Sequence, residues 1–357
     1  MGYTDVIATI AGADQAALAE AQARVDVLLK PPGSLGRLEE MAVRLAGMTG
    51  RVRNQFERRC VVVMAADNGV YAQGVASAPQ EFTRLQAVNM TRGICGVSVL
   101  TAQASGDVVV VDIGIAQPTG WPQIVERTVR RSTRDLAVEP ALTRAEAVAA
   151  IEVGLEVTNG LIDQGYQMIG TGEMGIANTT TTSACAVVLT GVEVERAVGR
   201  GAGLSDQALA HKIEVVRRAL ALHQPDPNDP LDVLSKVGGL DIAGLVGCYL
   251  AAASRRTPIL VDGVISILAA LLAQRLAPAA ADFMIATHRS EEPAYAAISA
   301  ELGLEPFLDL KMRLGEGTGC ALAFPIVDAA CAMMDRMGTF DDIQYDQSFL
   351  VDNREES

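Results

Sequence analysis

The chain has 357 residues, half of them apolar but only 4% aromatic, and a formal net charge of -14. Such an acidic balance argues against a nucleic-acid partner, because phosphate backbones call for clustered Lys and Arg, and it requires any anionic ligand to find local cations. Ala, Val, Leu and Gly dominate, as in parallel strands sandwiched between helices, so an α/β enzyme is favoured over a β-sandwich or coiled coil.

In chain order, the first residues carry no basic leader, and Val6 stands where a myristoylation motif wants Ser or Thr. Helical patterning follows in "DQAALAEAQARVDVLLK". Five short β-branched runs then recur: "CVVVMAADNG" from Cys60, "DVVVVDIGIA" from Asp107, "YQMIGTGEMG" from Tyr166, "TPILVDG" from Thr257 and "DFMIATHRS" from Asp282. They predict buried parallel strands. Helical stretches separate them, among them the one from Thr143 and the one from Ser205, whose Ser205 is a natural N-cap. This alternation predicts right-handed βαβ crossovers and a Rossmann-like parallel sheet flanked by helices.

A last helical pattern follows Pro325. The two termini are therefore expected to form a small helical domain, residues 1–45 plus 330–357, beside a large α/β domain over 46–329. The longest apolar runs, 242–253 and 264–273, are shorter than the ~20 residues of a membrane span. The expectation is a cytoplasmic protein with no membrane partner. Six cysteines occur without any C-x-x-C, and three histidines without H-x-x-x-H, so buried free thiols are a better reading than a metal site.

In such sheets ligands sit beyond the carboxyl ends of the strands. The residues there are Asp67 to Gly69, Asp112 and Gly114, Gly170 to Gly175, Asp262 and Gly263, and Thr287, His288 and Ser290. The sextet 170–175, "GTGEMG", satisfies the G-x-G-x-x-G dinucleotide pattern. Two strand-like runs precede it, however, and Glu173 would set a carboxylate against a pyrophosphate. Glu193 and Glu195, at the distance of a ribose-binding acid, do not end a strand. A mononucleotide phosphate held by Asn178 and Thr179 at a helix start, with a nearby cation, is the better ligand. Three more glycine clusters follow: "GRGAGLSD" from Gly199, leading into the helix with Lys212; "SKVGGLD" with Lys236; and "RLGEGTG" with Glu316 between glycines. One alone would read as a turn, and Glu316 alone as a helix-capping surface acid; together they predict a glycine-lined polar-ligand site.

The blocks "LLKPPGSLGRLEE" (28–40), "AADNGVYAQGV" (65–75), "QAVNMTRG" (86–93), "GTGEMGIANTT" (170–180), "DVLSKVGGLD" (232–241) and "RLGEGTGCALAFPIVDAACAM" (313–333) occur in this order. Together they resemble the nicotinate-nucleotide:dimethylbenzimidazole phosphoribosyltransferases. That resemblance implies transfer of ribose 5-phosphate from nicotinate mononucleotide to an aromatic base, with inversion at the anomeric carbon and no cofactor or metal. It implies a homodimer; relatives that act on phenols form heterodimers of paralogues.

The resemblance further implies Glu316 as general base and Glu173 as the acid facing an oxocarbenium-like ribose. Gly172, Gly175, Asn178, Thr179, Gly201, Lys212 and Ser290 would contact phosphate and ribose. Asn68, Ser77, Gln86, Asn89 and Leu314 would line the acceptor pocket. Two positions depart from the pattern: Asn68 replaces a histidine common in relatives, and Ala78 falls where a serine is frequent. They leave open which base is accepted. An NAD-dependent oxidoreductase is the alternative from the glycine sextet alone.

Overall fold

The computed structural model describes residues 2–346, 348 and 350–356. Its helices are α1 (Tyr3–Thr9), α2 (Gln15–Val27), α3 (Arg37–Thr49), α4 (Phe82–Thr91), α5 (Gly96–Gln103), α6 (Arg144–Asp163) and α7 (Asn178–Thr190). They continue as α8 (Val194–Ala197), α9 (Asp206–His223), α10 (Pro230–Val237), α11 (Leu240–Ser254), α12 (Val264–Leu276), α13 (Tyr295–Leu302) and α14 (Thr318–Arg336). Six strands form one sheet: β1 (Arg59–Ala66), β2 (Asp107–Gly114), β3 (Val125–Glu126), β4 (Met168–Met174), β5 (Ile259–Val261) and β6 (Met284–Ala286).

All pairings are parallel, in the order β3-β2-β1-β4-β5-β6. The five expected strands are present. The sixth, β3, is two residues long and pairs through Val111 and Asp112 of β2, too short to leave a pattern in the sequence. The chain builds outward from β1 on one side and then from β4 on the other, so a crevice forms where these two neighbours end. Their register sets Met64 beside Glu173 and Ala65 beside Met174.

The interior β1 is buried along almost its whole length, as a doubly covered strand should be. Helices α5 and α14 pack together and against the sheet, as do α11 and α12. The long α6 lies on α11, where glycines bring the two backbones together: a methyl group on Gly154 would meet the Gly244 carbonyl oxygen at 1.9 Å. Ser205 caps α9 as expected, accepting from Ala208 N at 3.3 Å.

One described helix, α14, is long and apolar enough to cross a membrane, an element the apolar-run count passes over. Here it contacts β4, β5, α3 and α5, which makes it a core helix. Its far end meets the N-terminal segment. Arg24 Nε donates to Met334 O at 2.6 Å, Leu29 N donates to Gly338 O at 2.8 Å, and Leu28 bridges Thr339. Of the small domain expected from the termini, Met1, Gln347, Phe349 and Ser357 lie outside the described residues.

Candidate active site

A cavity of about 390 Å³ opens beyond the tip of β4, between α4, the start of α7, the loop before α9 and the turn before α14. That volume suits a small-molecule ligand, for which pockets of about 300–1,000 Å³ are usual. Gly170 and Gly172, the first two glycines of the sextet, lie inside β4. A methyl group on Gly172 would come within 2.2 Å of the Glu316 carbonyl oxygen, and one on Gly170 within 2.7 Å of Cys320 Cβ. These glycines let the turn 315–317 and the first turn of α14 lie directly on the strand. Gly172 is thus absent from the cavity wall, which corrects its reading as a phosphate or ribose contact. Gly175 does line the wall, and a side chain there would strike Ala66 O at 2.3 Å.

The turn itself runs through three consecutive left-handed residues, Gly315 at φ 80°, Glu316 at 65° and Gly317 at 99°. A non-glycine residue in this region costs roughly 1–2 kcal/mol, so its surroundings must fix it. Asp262, at the end of β5, accepts Gly317 N at 3.0 Å and Gly319 N at 2.7 Å. Glu316 N points to Glu173 Oε1 at 3.4 Å. The Glu316 carboxylate is buried and held at both oxygens: Gln86 Nε2 donates to Oε1 at 2.7 Å and Val97 N to Oε2 at 3.2 Å. Val97 is the second residue of α5, so the carboxylate sits at the positive end of that helix. Glu316 thus lines the cavity and meets the start of α5 from a buried position, not as a surface acid.

Glu173 is held differently. Its Oε2 accepts a short hydrogen bond from Asn178 Nδ2, and the same amide nitrogen reaches Asp241 Oδ2 at 3.2 Å. Burial, reinforced by Asp241, pushes the Glu173 carboxyl up to about 8, and burial pushes Asp241 up to about 6. Burial and the neighbouring Asp241 thus both favour the neutral form of the Glu173 carboxyl. Asn178 is a clamp between two acids, so its amide is engaged and not free for a phosphate.

The other end of the cavity is cationic, with Arg200, Lys212 and Arg313 in its wall. Lys212 Nζ donates to Thr179 Oγ1 at 2.7 Å and to Gly199 O at 3.1 Å. Its side chain is buried, and that burial lowers its pKa to about 8. Gly201, left-handed at φ 52°, stands 3.9 Å from Lys212 Nζ by its missing methyl. Ser290 and Glu292 also border this end. The Thr run proves to be local anchoring: Thr181 and Thr182 hydroxyls bond Asn178 O at 2.8 and 2.9 Å in the first turn of α7.

The acceptor-side expectations divide. Ser77, Gln86 and Leu314 line the cavity, together with Ala78 and Phe82. Asn89 does not; it faces Arg92 at 3.4 Å. Asn68 is fully buried behind the wall, its amide without a hydrogen-bond partner, close enough that a methyl on Gly175 would lie 3.2 Å from Nδ2. Its side chain is therefore not part of the cavity surface. His288 is buried beside Asp262 at 3.4 Å, outside the wall, while His211 and His223 lie on α9. Lys236 pairs with Asp232 on α10 at 2.8 Å.

Pattern reading assigned no role to Arg200, Arg313, Glu292 and Asp241, which lie in or against the site. Asp241, Arg200 and Arg313 all lie within or beside the quoted glycine clusters; Glu292 carries no local signal.

The family model described as phosphoribosyltransferase matches residues 10–344. The nicotinate-nucleotide:dimethylbenzimidazole phosphoribosyltransferase of Chloroflexus aggregans is 52% identical over 92% of this chain and 93% of its own length. That of Acetivibrio thermocellus is 49% identical over 91% and 93%. The crystal structure of CobT from Thermus thermophilus superposes with a TM-score of 0.89 at 39% identity, covering 93% of this chain and all of that one. Motif order, sheet topology and near full-length similarity agree, and the chain belongs to the nicotinate-nucleotide:dimethylbenzimidazole phosphoribosyltransferase family.

Proposed function

We propose that this chain transfers the 5-phosphoribosyl group of nicotinate mononucleotide to a ring nitrogen of 5,6-dimethylbenzimidazole or a close analogue, releasing nicotinate. The observation that carries the reading is one cavity with two buried glutamates at its sheet end and a buried lysine at the other. The names of the relatives supply the donor and acceptor classes. The donor phosphate seats among Lys212, Gly201 and Ser290, with Arg200 and Arg313 nearby. The ribose then lies over Glu173. Its pyridinium charge favours the ionised form of Glu173, which then faces the positive charge that grows at the anomeric carbon.

The acceptor enters between Ser77, Gln86 and Leu314. Its nitrogen forms the new bond to the anomeric carbon as the bond to nicotinate breaks, and its N–H proton passes to Glu316. Attack from the face opposite the leaving group inverts the β-linked donor to an α-linked product, α-ribazole 5'-phosphate. A dinucleotide reading is weaker, because Gly170 and Gly172 serve the approach of α14.

Ala78, where a serine hydroxyl is frequent, keeps a phenolic acceptor in view. We further propose that the chain works as a homodimer and that segments 1–45 and 330–357 act as one helical unit, supported by their mutual bonds around Arg24, Leu28 and Leu29. The buried free thiols suit a reducing compartment such as the cytoplasm. The test is to incubate the chain with nicotinate mononucleotide and a panel of benzimidazoles, purines and phenols. Nicotinate should appear only when donor and a benzimidazole are both present, and mass spectrometry should find the ribosylated base. Release without acceptor, or a ribosylated phenol alone, would overturn the assignment.

A further inference from the structure

We infer that Asp262 is a positioning residue for Glu316, acting through the start of α14 and never touching substrate. The inference rests on the proposed role of Glu316 as base. Asp262 follows β5, is buried to 1% exposure, and spans 55 and 57 positions of sequence to accept Gly317 N and Gly319 N. Those are N–H groups that a helix start leaves without intrahelical partners, and Gly317, the N-cap of α14, has no side chain to supply an acceptor. The carboxylate thus closes the helix start from another strand and is favoured there by the helix dipole.

The consequence is local. Gly317 is the last of the three left-handed residues, and Glu316 immediately precedes it. With Gly317 pinned to the tip of β5, the chain must pass through the left-handed region at Glu316, which aims its carboxylate at Gln86 and Val97. Space enforces the same path: a methyl on Gly319 would lie 2.7 Å from Asp262 Oδ1 and 2.0 Å from His288 Cδ2. Without the Asp262 carboxylate, Glu316 relaxes toward ordinary backbone angles and its oxygens leave their two donors. Asp262 is absent from the cavity wall, so substrate binding has no direct stake in it.

The test is a double-mutant cycle on the full chain, with Asp262→Asn, Glu316→Gln and the pair, assayed for nicotinate release at saturating donor and acceptor. Asparagine keeps the shape but presents an N–H toward one of the two N–H groups. Asp262→Asn should lower kcat at least 10-fold, leave the KM of both substrates within about 3-fold, and have little further effect in the Glu316→Gln background. A kcat loss that persists undiminished in that background, or a wild-type kcat, overturns the inference. A near wild-type kcat for Glu316→Gln alone would instead remove the base reading, and this inference with it. If Asp262→Asn does not fold, Asp262→Ser, a smaller single acceptor, carries the same cycle.

Discussion

The tip of β4 and the turn before α14 each present one glutamate to the same cavity, and they hold it by opposite means. Glu316 rests on two neutral N–H donors, one of them at the positive end of α5. Glu173 shares a single amide with a second acid, Asp241, under full burial. The proposed transfer asks for a base at a neutral acceptor and a charge facing a cationic ribose, and this division keeps the two glutamates distinct. One carboxylate is held by two donors, while burial beside a second acid favours the neutral form of the other.

Breaking the first arrangement should have the largest effect. Glu316→Gln should lower kcat by about 10²–10⁴-fold, the usual contribution of a general base, with donor KM within about 3-fold. Nicotinate release under saturating conditions measures it, and a loss confined to KM would contradict the assignment. Lys212→Met comes next, at the phosphate end. Losing a charge-assisted contact of ~1.5–3 kcal/mol should raise donor KM about 10–100-fold with a smaller change in kcat. An unchanged donor KM would move the phosphate elsewhere.

A milder break is Gln86→Leu, which strips one donor from Glu316. The lost hydrogen bond, worth ~1.5 kcal/mol, should lower kcat about 10-fold at unaltered donor KM. The smallest effect sharpens the second arrangement and reads stability. Burial holds the proton on Glu173 up to about pH 8 in the folded chain. The unfolded chain gives it up near the ordinary carboxylate value of about 4.3, so stability is lost as pH rises through that window. Glu173→Gln removes this loss, and its melting temperature relative to wild type should climb by a few degrees between pH 5 and pH 8. A difference that shrinks with pH would mean Glu173 is ionised in the empty cavity.

The fold was legible wherever burial leaves a pattern. Continuous β-branched runs announced β1, β2, β4, β5 and β6, whereas β3 exists only through backbone pairing of two residues with β2. Parts of the cavity wall were legible too, where glycine clusters and strand ends mark a backbone turning toward a ligand, while Ser77, Gln86 and Leu314 came only with the family resemblance. What they do not mark is which glycine meets the ligand. Gly172 and Gly175 look alike in sequence, yet one faces the Glu316 turn and the other the cavity. Glu292 lines the cavity two positions from Ser290 with no pattern of its own. Asp262 stands out as a strand-end acid, but its two partners lie more than fifty positions away and only the folded chain brings them together.

The six buried free thiols give this chain a set of internal clocks. Cys320 sits in the first turn of α14, its sulfur 3.4 Å from Thr171 O and 3.3 Å from Leu260 O, directly behind the Glu316 turn. An alkylating reagent reaches it only when that junction opens, so its labelling rate times the opening of the Glu316 turn separately from melting of the whole molecule. Cys60, at the start of β1 in the centre of the sheet, supplies the reference beat for global unfolding.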